Sequence, residues 1–114
     1  MLVIERGTAQ EIRITVKGWD LSASDVYVTF KQDTGKSLTR NTMTSVTYAN
    51  NKSVIVLTLT QRETMIFDEK REGKLQVRWV DHDGEPHKTE AAPFTTDELL
   101  YNVVLEKAAD ANGQ

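Results

Sequence analysis

Residues 54–67, "VIVLTLTQRETMIF", run an apolar strand into a polar Thr-Gln-Arg-Glu step and then resume with Met65, Ile66 and Phe67. Thr60 and Glu63 stand at capping-box spacing, so the hydroxyl can accept the Glu63 amide while the carboxylate reaches back to the Thr60 amide. The strand is therefore expected to end in one short helical turn. After it, Met65, Ile66 and Phe67 fall back onto the core, and Gly73 launches the next strand beyond the charged "DEKRE". In a two-layer β-fold such a step is the corner where the chain crosses between sheets, which makes Gln61, Arg62 and Glu63 architectural rather than catalytic.

Outward from this corner the pattern is period two, the alternation of a strand with one dry and one wet face. Ile12, Ile14 and Val16 alternate with Arg13, Thr15 and Lys17, and Val26, Val28 and Phe30 alternate with Tyr27, Thr29 and Lys31. Asp33-Thr34-Gly35 supplies a turn into "KSLTR" (36–40), and Asn50-Asn51, a pair that tolerates left-handed geometry, joins Ser45–Ala49 to Ser53–Leu59. "GKLQVRWVD" (73–81) puts Leu75, Val77 and Trp79 on one face, and Asp83-Gly84 turns it into "HKTEAAPFT" (87–95). With the opening "LVIER", about seven or eight short strands recur every ~8–12 residues, the spacing of an immunoglobulin-like antiparallel β-sandwich.

The chain has 114 residues, the size of one domain. It contains no Cys, which excludes disulfides and thiolate zinc sites and fits folding in a reducing cytosol. The apolar run Leu2-Val3-Ile4 is far shorter than the ~7 residues of a secretory h-region, so no signal peptide is expected. No stretch approaches the ~20 apolar residues of a membrane span. A net charge of −3 provides no basic excess for phosphate, and nucleic acid is not expected as a partner.

The C-terminal "TTDELLYNVVLEK" (95–107) spaces Leu99, Leu100, Val103 and Val104 as a helical stripe, with Thr95 and Glu98 again at capping-box spacing. A short helix is expected, either plugging the open end of the sandwich or docking its stripe on another subunit. These four side chains are the candidate protein-interaction residues. The sandwich domain is expected to span 1–107, with 108–114, "AADANGQ", as a disordered tail.

Candidate chemistry is sparse. Asp81-His82-Asp83-Gly84-Glu85 alternates carboxylates as a calcium loop does, but it lacks the third loop carboxylate and the bidentate Glu an EF-hand needs, and a tight turn selects the same residues. His82 and His87 flank that turn without a third N or S ligand, a poor metal site; exposed, titrating histidines are expected. There is no GxSxG elbow, no phosphate-binding glycine loop and no cue for a triad. No cofactor, metal or small-molecule substrate is expected. Trp19 and Trp79 could stack on a sugar, although Trp79 stands at an in-facing position and both fit core packing better. Carbohydrate binding is therefore the alternative to assembly.

"LTLTQRETMIF" (57–67) followed by "GKLQVRWVDHDG" (73–84) resembles the "LTQEET...F...G...VQVR...DG" pattern of small immunoglobulin-like proteins encoded by tailed bacteriophages and prophages of Gram-positive hosts, a pattern similar to the N-terminal domain of the phage baseplate upper protein. "IERGTAQEIRITVKG" (4–18) and "VYVTFKQDTGK" (26–36) extend the likeness, which covers about Val3 to Leu100. The resemblance implies a structural role in the virion, made in the host cytoplasm, with no enzymatic activity and with copies of itself or other tail or baseplate proteins as partners. The baseplate protein continues into a long receptor-binding region whereas this chain stops at Gln114, which points to a freestanding tail, connector or decoration subunit.

Overall fold

A computed structural model describes residues 1–107; the expected tail, 108–114, lies outside the described residues. Nine strands and one helical turn follow in order: β1 (Leu2–Ile4), β2 (Gln10–Lys17), β3 (Val26–Gln32), β4 (Ser37–Arg40), β5 (Ser45–Ala49), β6 (Lys52–Leu59), α1 (Gln61–Thr64), β7 (Glu72–Val80), β8 (Pro86–Lys88) and β9 (Ala92–Thr96). One sheet has the order β1-β9-β7-β3-β4, with β8 also on β7, and the other has the order β2-β6-β5.

This order is the immunoglobulin layout. Strands β2, β6 and β5 occupy the places of B, E and D, while the G, F, C and C′ places fall to β9, β7, β3 and β4. β8 and β9 both return along β7, β8 beside Arg78–Val80 and β9 beside Glu72–Leu75. The last strand is thus broken in two, which is why nine segments stand where spacing predicts seven or eight. The expectation of a wholly antiparallel fold is corrected at one place: β1 runs parallel to β9, pairing Leu2 with Phe94 and Ile4 with Thr96. First and last strands lie side by side in the same direction, something alternation within each segment cannot reveal.

The layers close over the in-facing residues. Val26, Val28 and Phe30 of β3 and Leu75, Val77 and Trp79 of β7 meet Ile12 and Val16 of β2 and Ile55, Leu57 and Leu59 of β6. Phe30, Phe67 and Phe94 form a triangle with ring centroids 5.5–6.2 Å apart, in the tilted and edge-on arrangements that aromatic quadrupoles favour. Asn50 and Asn51, at φ 53° and 61°, build the two-residue turn between β5 and β6.

The corner forms as its spacing predicts. Thr60 Oγ1 accepts the Glu63 amide at 3.2 Å and Glu63 Oε1 accepts the Thr60 amide at 2.9 Å. Arg40 of β4 adds an ion pair to Glu63 at 2.6 Å, tying one sheet's edge to the corner of the other.

The expected C-terminal helix is not formed: residues 97–107 are bends and coil. Its proposed cap is committed elsewhere. Thr95 belongs to β9, and Glu98 pairs with Lys70 at 2.7 Å in place of closing a capping box. A helix of two to three turns without caps is marginal in water, so tertiary contacts decide the conformation.

Candidate functional site

Two surfaces carry features beyond a packed sandwich. The first is the corner with the C-terminal segment laid over it. Arg6 lies just after β1, and its side chain is nearly buried. Its Nε donates to the Phe67 carbonyl at 2.8 Å, Nη2 to the Met65 carbonyl at 3.3 Å, and Nη1 to Glu69 at 2.8 Å and to the Asn102 side-chain carbonyl. One planar, permanently charged fork thereby joins the N-terminus, the corner and the C-terminal segment. Gly7 donates its amide to Thr64 Oγ1 at 3.1 Å, and that hydroxyl donates to the Thr8 carbonyl at 2.9 Å.

Gln61 then binds the segment as a second strand would. Its Nε2 donates to the Leu105 carbonyl at 2.8 Å and its Oε1 accepts the Leu105 amide at 2.7 Å. The polar step in the opening stretch is thus a clasp: Glu63 closes the cap and Gln61 holds the segment. Arg6 is the residue sequence reasoning missed, and Gln61, read there as part of the corner, was not expected to hold the C-terminal segment. Nothing in local pattern marks Arg6, whose partners lie about sixty and ninety-six positions away.

The four candidate interaction residues do not form one stripe. Leu99 and Val104 are half-buried, and Leu99 sits over Gly7, where an added Cβ would come within 2.7 Å of Leu99 Cδ2. Leu100 and Val103 turn to solvent, and Tyr101 and Leu105 join them. Leu100 is 91 %, Tyr101 67 % and Leu105 64 % exposed.

The second surface is at the other end of the sandwich, where the β2–β3 loop and the start of the β7–β8 turn enclose a groove of about 580 Å³. Trp19, Asp20, Asp25, Tyr27, Val80 and His82 line it. Trp79 forms its floor, buried as its strand position predicts. Trp19 corrects the expectation of core packing: it is 38 % exposed, edge-on to Trp79 at 5.5 Å and tilted against His87 at 4.2 Å. Tyr27 is 41 % exposed on the same groove, whereas Tyr48 lies on β5 in the opposite sheet.

The Asp81–Glu85 segment is a turn whose lead carboxylate is already used. Asp81 Oδ1 accepts the Asp83 and Glu85 amides at 2.9 Å each, and Oδ2 lies 2.7 Å from His87 Nε2. The His87 contact first, and the backbone amides after it, hold the Asp81 carboxyl below its ordinary value. His87 is half-buried between Trp19 and Trp79, not freely exposed as expected, and it does not face His82, which lies beside Asp83. Across the groove the Ser22 hydroxyl and amide lower Asp20 in the same way. Among the described residues no cluster of three or more His, Asp or Glu is placed to hold a metal ion.

Comparison with known proteins adds little. No family model matches the chain, and no curated protein matches it. A solved structure of the V domain of amphioxus IgVJ-C2 is similar at 14 % identity over 85 % of this chain and 100 % of that one, with a TM-score of 0.27. The immunoglobulin assignment accordingly stands on strand order and pairing.

Proposed function

We propose that this chain is a structural module of a phage or prophage virion, a tail or baseplate component that acts through protein–protein contacts and carries out no catalysis. The observation that carries the reading is the C-terminal segment, where Leu100, Tyr101, Val103 and Leu105 are held in solvent by a clasp on the sandwich corner. Large apolar side chains concentrated on one anchored segment mark a contact surface. The phage assignment is supported by the strand-end pattern of residues 57–84 and its resemblance to phage immunoglobulin-like proteins. Copies of this chain and other tail or baseplate proteins are the proposed partners, and the virion is the proposed location.

The test is whether particles released from an induced host carry the chain. Its tryptic peptides should appear in density-purified particles at a fixed ratio to the major tail protein. Recovery only in the particle-free fraction would contradict the reading.

A second reading, a carbohydrate-binding module, is favoured by one observation: Trp19 and Tyr27 both present ring surface to a groove that also holds Asp20 and Asp25. Aromatic faces stack on the C–H face of a pyranose while carboxylates accept its hydroxyls. Glycan-array binding lost in Trp19→Ala would support it, and an array with no signal would set it aside.

A further inference from the structure

Resting on the assembly reading above, we propose that β5 is a self-pairing edge, joining antiparallel to β5 of a second copy about a two-fold axis at Thr47. Among the described residues β5 pairs only with β6, and it forms one edge of the three-stranded sheet. Its sequence, Ser45-Val46-Thr47-Tyr48-Ala49, contains no Lys, Arg, Asp, Glu or Pro. Natural sheets guard free edges with charge, proline or brevity, and the other edges here are so guarded. β2 shows Glu11, Arg13 and Lys17 to solvent, β8 carries Pro86 and Lys88, and β1 is three residues long. β4 ends on Arg40, which is committed to Glu63.

Register fixes what a second copy would meet. Ala49 and Lys52 flank the two-residue turn and form its narrow hydrogen-bonded pair, so alternation also directs the main chain of Thr47 and Ser45 to β6. The N–H and C=O groups of Val46 and Tyr48 are left facing outward. In an antiparallel pair centred on Thr47, Val46 lies opposite the second copy's Tyr48, and the same pair recurs across the axis. Four main-chain hydrogen bonds form, with two aromatic–β-branched side-chain pairs on one face and a Thr–Thr pair on the other, both favourable cross-strand combinations. An uncharged strand places no like charges opposite its own copy. The contact is isologous, so it closes at two copies and builds no fibre.

The axis supplies the test. Residues opposite each other in a non-hydrogen-bonded pair have Cα atoms about 4.5 Å apart, within the ~4.4–6.8 Å that a disulfide spans. The chain has no Cys of its own, so Thr47→Cys introduces a single thiol on an exposed face. Under mild oxidation the full chain carrying Thr47→Cys should form a disulfide-linked dimer. Ser45→Cys should not, because Ser45 and its copy stand four residues out of register, roughly 13 Å along the strand. Adding Tyr48→Pro removes an outward donor without touching the bonds to β6, and should reduce Thr47→Cys cross-linking to the Ser45→Cys level. Cross-linking of Thr47→Cys no faster than Ser45→Cys, with both variants folded by circular dichroism, overturns the proposal. If the chain is nevertheless found in particles, the assembly reading stands and only this edge is wrong; rapid cross-linking of a chain absent from particles leaves the edge and removes the virion role.

Discussion

Arg6 Nε and the Phe67 carbonyl meet at 2.8 Å across sixty-one positions of sequence, and the same guanidinium reaches Met65, Glu69 and Asn102. The corner's carbonyls, the first strand and the C-terminal segment share this one cation. Arg6→Met keeps most of the apolar stem and removes the donors. It is expected to cost about 1.5–3 kcal/mol, the range for bonds to a charged group, and to speed hydrogen exchange at the Leu105 amide as the segment loosens. Denaturant unfolding with exchange mass spectrometry reads both.

Gln32 is a buried amide between the layers. Its Nε2 donates to the Asp68 carbonyl at 3.0 Å and to Thr96 Oγ1 at 3.1 Å, and its Oε1 accepts the Asp68 amide at 2.7 Å. Gln32→Leu keeps the volume but orphans a part-buried peptide group on both sides. A loss of about 1–3 kcal/mol is expected, read as a lower denaturant midpoint at unchanged slope.

Gly73 is packed too tightly for any side chain. A Cβ there would lie 2.5 Å from Phe94 Cζ and 2.7 Å from the Lys31 carbonyl oxygen, and the latter is backbone and cannot rotate aside. Gly73→Ala should destabilise by about 1–3 kcal/mol through overpacking, seen as a fall in Tm. By contrast Gly35→Ala meets no neighbouring atom, and its cost comes from a φ of 96° alone.

The β7–β8 turn should respond to acid. Asp81 has a folded-state pKa below its ordinary 3.8, because His87 and the turn amides favour the ionised form. It therefore binds its proton less readily folded than unfolded. Its stabilising contribution is present above about pH 3.8 and is lost as pH falls below that value through the folded-state pKa. Asp81→Asn should flatten this acid limb and free the His87 ring, with Trp fluorescence changing because that ring stacks on Trp79 and lies tilted against Trp19. An acid limb identical in the wild type and Asp81→Asn would contradict the assignment.

Much of the sandwich was legible because its strands are half-buried and antiparallel, and that arrangement writes itself as alternation. Val26-Val28-Phe30 and Leu75-Val77-Trp79 needed no tertiary information. The corner was legible for a different reason: a capping box is local, closed within Thr60–Glu63. The C-terminal helix failed because its apolar spacing is equally compatible with a coil pinned by distant partners, and those partners, Arg6, Gln61 and Lys70, carry no periodic signal. Trp19 was misplaced because it follows Gly18 outside any strand, so no alternation fixed which way it faces. The groove and the Asp81–His87 contact depend on two loops meeting in space, and spacing along the chain does not encode such a meeting.

Sedimentation velocity on the purified full chain, from low micromolar to near-millimolar, tests most directly whether this sandwich adheres to a second copy of itself through β5. The wild type is expected to pass from monomer to dimer as concentration rises. Thr47→Glu, which sets two carboxylates face to face at the axis, should remain monomeric. A wild type that stays monomeric throughout and is indistinguishable from Thr47→Glu would contradict it.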